Sequence, residues 1–251
     1  MSKGRAKLAM SEGVSVWVLE APLGFGEAAY HSHHAIQITV SLSGALSLSS
    51  EDATLQGSIV AVAADAQHKF EASGLLVFLF VEPESRAGRL LTTTLFARDR
   101  LVELRNADLL DVLEPLRSTF GAGLEAEVLL RAGREAVALL APSSDAPLPD
   151  PRVQRIIDYA ASHLDLPLSL RTAAEGVYLS PSRLRHLFVE QTGLAFRTYL
   201  LWLRLVRAVE VYAQGHSLTE ASHAAGFSDS AHFSRIFKRT FGLPATTLTR
   251  L

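Results

Sequence analysis

The 251-residue chain contains no cysteine. Disulfides, thiolate zinc sites, iron–sulfur clusters and a cysteine nucleophile are thereby excluded. Long apolar runs are missing too. No stretch approaches the roughly 20 residues of a membrane-spanning helix. Residues Met1 to Ala9 lack the apolar core of a signal peptide. The expectation is a cytoplasmic protein with no membrane partner. Net charge is also scarce, at −2 overall, while 48% of residues are hydrophobic and 20% charged. That balance suits a folded globular chain, and the length suits two domains.

The small net charge hides a split. Residues 152–251 hold twelve Lys and Arg against seven Asp and Glu, so this third carries +5 and the rest −7. A basic third joined to an acidic remainder fits a chain with two tasks, one of them contact with a polyanion. At +5 per hundred residues, a protein that packages nucleic acid without specificity is disfavoured.

Between the two parts runs Ala141-Pro-Ser-Ser-Asp-Ala-Pro-Leu-Pro-Asp-Pro151, with four prolines in eleven residues. Such a stretch neither continues a helix nor enters a sheet interior, so residues 141–151 read as a linker. Before it, residues 14–81 carry short β-rich runs. Ile36 to Leu42 alternates apolar and polar, the period of a half-buried strand. Ile59–Val62 and Leu75–Val81 are continuous apolar runs, expected as buried strands. Many short antiparallel strands point to a barrel or jelly roll over residues 1–98. From 99 to 140 the period turns helical. Leu109, Val112, Leu113 and Leu116 share one face; Val128, Leu129, Ala132, Ala136, Leu139 and Leu140 share another. Pro115 and Gly121-Ala-Gly123 divide the segment into several short helices.

Residues 152–251 read as wholly helical. Asp150-Pro151 suits an N-cap and first position. Ser169 caps a short helix through Glu175, and Ser180-Pro181 caps the next. A longer helix runs from Phe196 to near Gly215. Ser217-Leu-Thr-Glu220 forms a capping box, and Asp229 caps the last long helix. Residues 169–193 repeat as 217–242: a capped short helix, a turn, then a second capped helix ending in Thr-Gly or Phe-Gly. Each repeat has the size of a helix-turn-helix. Opposite the apolar face of the first repeat's second helix lie Ser182, Arg185 and His186, with Arg183 beside them. In the second repeat the same face carries Ala231, His232 and Arg235, followed by Lys238 and Arg239. Arg, Ser and His can bond base edges and Ala can pack on a thymine methyl, while Lys and Arg hold phosphates. Double-stranded DNA is the partner this pattern suggests. A helical bundle with a solvated basic face would share it.

Further residues make the pattern specific. The stretches Gly193-Leu-Ala-Phe-Arg-Thr-Tyr-Leu200, Leu203-Arg-Leu-Val-Arg-Ala208 and Gly215-His-Ser-Leu-Thr-Glu-Ala221 resemble the DNA-binding domain of AraC/XylS transcription regulators. So does Gly226-Phe-Ser-Asp-Ser-Ala-His-Phe-Ser-Arg-Ile-Phe-Lys-Arg-Thr-Phe-Gly242. The resemblance covers residues 169–242. It implies two helix-turn-helix units joined by a linker helix, each placing its second helix in a major groove of one DNA face. The base-facing positions would be Ser182, Arg185, His186, Ala231, His232 and Arg235. Three departures fall in the first unit. Tyr178 replaces a turn glycine, so a different turn is expected there. His186 and Val189 replace basic residues, implying weaker DNA binding by that unit. At the chain end, Pro244-Ala245 and Leu248-Thr249 also differ from the usual residues.

In the first part, His31-x-His33-x3-Gln37-x6-Gly44 is similar to the first cupin motif, with Gln37 in place of the metal-binding Glu. Gly57-x10-His68 is similar to the second, with Ala63 and Asp65 at its usual Pro and Gly positions. Residues two apart on a strand face one way, so His31, His33 and Gln37 can converge, with His68 brought across the sheet. Such a set could bind a divalent metal or line a pocket for a small-molecule effector. Alternatively, His34 and His68 are simply exposed strand ends.

The expected architecture is α+β and multidomain. It comprises a cupin-like sensing barrel (1–98), a helical dimerisation segment (99–140), the linker (141–151) and an all-α double helix-turn-helix (152–251). The 99–140 helices resemble the family's dimerisation helices, although their apolar faces could pack on the barrel in cis. The resulting reading is a homodimeric, effector-controlled regulator, not an enzyme, that also contacts RNA polymerase. The rival is a metal-dependent cupin enzyme fused to a DNA-binding module.

Overall fold

A computed structural model describes residues 5–11, 13–21, 24, 28–142 and 149–247. Residues 143–148 of the expected linker, and Leu248 and Thr249 at the chain end, lie outside the described residues. The chain divides into two units: residues 1–146 together with 237–251, and residues 147–236.

The first unit is built on antiparallel strands: β1 (Arg5–Ser11), β2 (Val14–Ala21), β3 (Ile36–Ser41), β4 (Leu46–Ser49), β5 (Thr54–Gln56), β6 (Ile59–Val62), β7 (Lys69–Ala72), β8 (Gly74–Val81) and β9 (Leu101–Glu103). They form a six-stranded sheet in the order β1-β2-β8-β3-β6-β9 and a three-stranded sheet, β5-β4-β7. On one face of the large sheet lie Val16, Val18, Ile36, Ile38, Val40, Val77, Leu79 and Val81, all fully buried. They share a core with Leu109, Leu113, Leu116, Phe120, Leu129, Ala132 and Ala136. Those residues come from α2 (Ala107–Leu113), α3 (Pro115–Phe120) and α4 (Ala126–Leu140), which follow α1 (Arg86–Leu95). The helical faces at residues 107–140 therefore pack in cis, α4 lying against β1 and β2. Helix and sheet approach closely at Gly133, where a Cβ would overlap Val16 Cγ2.

The opposite face is covered as well. Phe70 of β7 meets Phe78 of β8 with ring centres 5.6 Å apart, placing the small sheet over it. This corrects one expectation. The alternation at residues 36–42 reads as a half-buried strand, yet Gln37 and Thr39 are 2% and 0% exposed. With both faces covered, the polar set points inward instead of into water. Residues 101–103 also depart from the helical reading, since β9 pairs with β6 along the sheet edge.

The second unit is helical: α5 (Pro151–Ser162), α6 (Leu170–Ala173), α7 (Pro181–Thr192), α8 (Phe196–Ala213), α9 (Leu218–Ala224) and the start of α10 (Ser230–Phe241). Side-chain caps set the starts. The carboxylate of Asp150 accepts from Arg152 N–H with Pro151 at the first position. Ser180 Oγ accepts from Arg183 N–H. Ser217 and Glu220 form a reciprocal capping box, and Asp229 accepts from His232 N–H at 2.6 Å. α6 ends at Ala173, two residues short of the expected Glu175. Its left-handed residue is Gly176, φ +85°, so Tyr178 avoids a positive φ and stands 99% exposed. The first turn thus relocates its glycine and carries no strain at the tyrosine. Phe188 and Tyr199 anchor the core, edge to face at 5.4 Å. Among the described residues no helix is long and apolar enough to cross a membrane.

Candidate functional site

Leu184, Phe188 and Thr192 are the buried face of α7, so the helix turns its other residues outward by necessity. Ser182, Arg183, Arg185 and His186 are all exposed. On α10, Phe233, Ile236 and Phe237 are buried, leaving Ala231, Arg235, Lys238 and Arg239 exposed and His232 half-buried. His232 packs edge-on against Phe227 and lies 3.3 Å from Ser228 Oγ. Among the described residues, Arg183, Arg185, Arg235, Lys238 and Arg239 form no ion pair, whereas Arg152 and Arg207 do. Cations left without carboxylate partners are available to an external anion.

Within the second unit an open cleft of about 830 Å³ is lined by Arg185, Arg197, Arg204 and His232, with no acidic side chain on its wall. Arg204 is held by the carbonyls of Leu164 and Leu166. Arg185 from α7 and His232 from α10 thus border one basic concavity. At the start of α10, the His232 amide, Ser228 and nearby Arg235 hold the Asp229 carboxyl below its ordinary range.

In the first unit the structure gathers His31, His33 and His68. One ring nitrogen of each lies within 4.8 Å of the other two. The main chains of His31 and His68 bond reciprocally, both at 2.9 Å. Each Nδ1 faces a backbone carbonyl two residues away: Ala29 at 2.8 Å, Ala35 at 2.9 Å and Ala66 at 2.9 Å. Gln37 Oε1 lies 2.9 Å from His33 Nε2, and Gln37 Nε2 lies 2.8 Å from Thr39 Oγ1. Burial pushes His31 down to about 4, with the neighbouring His33 adding to it. It also lowers His33 and, more strongly, His68. All three are neutral imidazoles at neutral pH.

A neutral His33 that donates Nδ1–H to Ala35 has a bare Nε2. The Gln37 amide must then present its NH2 to His33 and its oxygen to the Thr39 hydroxyl. Asp65, at the position of the second motif's usual Gly, adopts the left-handed backbone that glycine would supply, φ +57°.

His34 and His68 are buried at 4% and 0%, which corrects the reading of both as exposed strand ends. His34 points away from the triad. Its Nε2 lies 2.9 Å from Glu84 Oε2 and its Nδ1 3.7 Å from Asp65. Burial alone would lower His34, but Asp65 and Glu84 outweigh it and hold it at about 9. Glu84 is the residue that sequence reading missed; fifty positions separate it from His34, and no local pattern links them. Beside the triad, a cavity of only about 30 Å³ is lined by Trp17, His31, Gln37, Phe80 and Phe241 among others. Its wall is mostly aromatic, not polar.

Residues 173–250 match the family model of a helix-turn-helix domain. Over 108 residues the chain is 29% identical to YpdC, an uncharacterized helix-turn-helix transcriptional regulator of Escherichia coli, covering 43% of this chain and 38% of that protein. Over 93 residues it is 32% identical to the transcriptional activator RhaS of Salmonella arizonae, covering 37% and 34%. It therefore spans about a third of the length of these curated relatives. A crystal structure of an apo variant of ToxT from Vibrio cholerae matches 96% of this chain and all of that one, with TM-score 0.60 and 15% identity. ToxT bound to (E)-4-(8-methylnaphthalen-1-yl)but-3-enoic acid matches with TM-score 0.56 and 13% identity, covering 99% and 100%. These two likenesses are of fold. Residues 173–250 thus carry a helix-turn-helix domain similar to that of these transcription regulators.

Proposed function

We propose that the chain binds specific duplex DNA through α7 and α10 and regulates transcription under control of a ligand held by the first unit. The carrying observation is the set of exposed, unpaired cations on the two second helices, Arg185 and Arg235 above all. Arg185, Arg235, Ser182, His186, Ala231 and His232 read bases, while Arg183, Lys238 and Arg239 hold phosphates. The sheets of residues 1–98 form a cupin-like jelly roll that senses the effector near His31, His33, Gln37 and His68. ToxT, of the same fold, has been solved with an organic acid bound, which supports a ligand-binding role for the first unit. Residues 99–140 supply a dimer contact besides their cis packing; Leu139 of α4 is exposed and available for it. Residues 141–151 link the sensing part to a DNA-binding domain at 152–251. The active form is a cytoplasmic homodimer that contacts RNA polymerase. The named relatives are regulators, which favours this reading over the enzyme one.

The test is selection of bound duplexes from a random pool, followed by titration of the selected site with Arg235→Ala. Loss of about 1–3 kcal/mol, confined to one base position, is expected. Unchanged affinity would refute the base-contact assignment.

A further inference from the structure

The basic cleft of the helical unit has an apolar side that base reading leaves unused. Leu168, Leu170 of α6, Val189 of α7 and Leu201 of α8 all form part of its wall. Leu168, Leu170 and Leu201 are only half-buried, and Val189 is 43% exposed. Val189 stands where the resemblance implies a basic residue. A DNA backbone gains nothing from such a wall, because desolvating a phosphate against apolar side chains is unfavourable. Apolar surface in a concave site with a few cations suits instead a ligand with an apolar body.

The cations define the other end of that ligand. Arg204 is half-buried, its Nε donating to the Leu164 carbonyl and its Nη2 to that of Leu166, both at 3.2 Å. These bonds hold the guanidinium in place without cancelling its charge. Among the described residues Arg185, Arg197 and Arg204 form no ion pair, and no acidic side chain lines the cleft. A fixed, partly desolvated guanidinium without a carboxylate favours an external anion. The start of α8 adds to this attraction. Its N-cap, Ala195, lies on the same wall and offers no side-chain oxygen to the first-turn amides.

We infer that this cleft binds a small organic anion, its head among Arg185, Arg197 and Arg204 and its apolar body on the leucines and Val189, and that the bound anion excludes duplex DNA. The cleft volume of about 830 Å³ falls within the roughly 300–1,000 Å³ usual for small-molecule sites. Every lining residue belongs to the helical unit, so the site is separate from the histidines of the sheets. Exclusion follows from shared residues. Arg185 and His232 border the cleft and are the same side chains assigned to bases. An anion on Arg185 removes one cation from the DNA-binding set and adds a charge that repels phosphate. The exclusion, though not the site, rests on the DNA-binding reading.

The experiment titrates the full chain by calorimetry with octanoate, hexanoate, butyrate and the neutral 1-octanol. A duplex selected from a random pool is then competed with octanoate. One equivalent of octanoate is expected, with affinity falling about fourfold for each methylene removed. 1-Octanol should bind at least about tenfold more weakly than octanoate, and Arg197→Ala should weaken octanoate about 10–100-fold. Val189→Glu should lose octanoate more than 1-octanol, whereas a misfolded variant would lose both alike. Duplex affinity should fall as octanoate saturates, and fall less for Arg197→Ala. No octanoate binding, or butyrate bound as tightly as octanoate, overturns the inference; the second result marks a plain anion groove for the DNA backbone. Equal octanoate affinity in the parent and both variants overturns it too, since the ligand is then held elsewhere. Octanoate that binds with both variant effects yet leaves duplex affinity unchanged overturns the exclusion. Protein that binds octanoate in this way but selects no duplex keeps the site and overturns the DNA-binding reading instead.

Discussion

Replacing Glu84 by Gln removes one of the two carboxylates, Asp65 and Glu84, that hold His34 charged, while preserving shape. Both side chains are nearly inaccessible, and their atoms meet at 2.9 Å. His34 moves from 6.5 to about 9 on folding, a difference of about 2.5 units or roughly 3 kcal/mol. Deleting one member of a buried pair typically costs about 3–5 kcal/mol, because the remaining charge is stranded. Asp65 stays beside His34 in the variant, so the loss should fall below both figures. The sign follows from proton binding. Below about pH 6.5 the histidine is charged in both folded and unfolded chains, and its contribution is fully present. Between 6.5 and about 9 only the folded chain holds the proton, so stability declines as pH rises. Beyond 9 the contribution is gone. Urea unfolding followed by Trp17 fluorescence, in a Trp202→Phe background, isolates the first unit. The parent should lose about 3 kcal/mol between pH 6 and pH 10. Glu84→Gln should start about 1–2 kcal/mol lower at pH 6 and show a flatter profile, so the two curves converge at high pH. Equal stability at pH 6, or parallel profiles, would refute the charged-pair account.

Three other outcomes are expected. Gly133→Ala drives a methyl into Val16 and should cost about 1–3 kcal/mol, with Val16→Ala restoring much of it; thermal melts of the single and double variants decide. Ser217→Ala removes half of the α9 capping box and should cost about 1 kcal/mol, measurable in urea as lost stability of the helical unit. Lys238→Ala should weaken binding to selected and unselected duplexes alike and lower the slope of log affinity against log salt by about 1; a sequence-dependent effect would reassign Lys238 as a base reader.

The helical part was largely legible because its signals are local. Ser180-Pro181, Ser217 with Glu220 and Asp150-Pro151 place helix starts within a few residues, and all three caps form as the sequence implies. His31 and His33 do meet, although both precede β3 and the strand period is not what aligns them, and a glycine-to-histidine spacing pointed to His68. What stayed hidden depends on non-local burial. Thr39 read as solvent-facing because nothing in β3 reveals that a second sheet covers it. His34 looked exposed because Glu84, which neutralises it, lies fifty residues away. Phe241 gave no hint that it would reach the cavity beside His31, since its own helix explains an aromatic there equally well. The Tyr178 turn was misjudged for a simpler reason: Gly176 supplies the left-handed residue two positions earlier.

The central claim is that α7 and α10 both read bases. It is tested most directly by hydroxyl-radical footprinting and base-by-base substitution of a selected duplex with the parent, Arg185→Ala and Arg235→Ala. The account predicts two protected major-groove segments about 10 base pairs apart. Each variant should relax specificity in one segment only, at a cost of about 1–3 kcal/mol. A single protected segment, or uniform weakening by both variants without change in base preference, would contradict it.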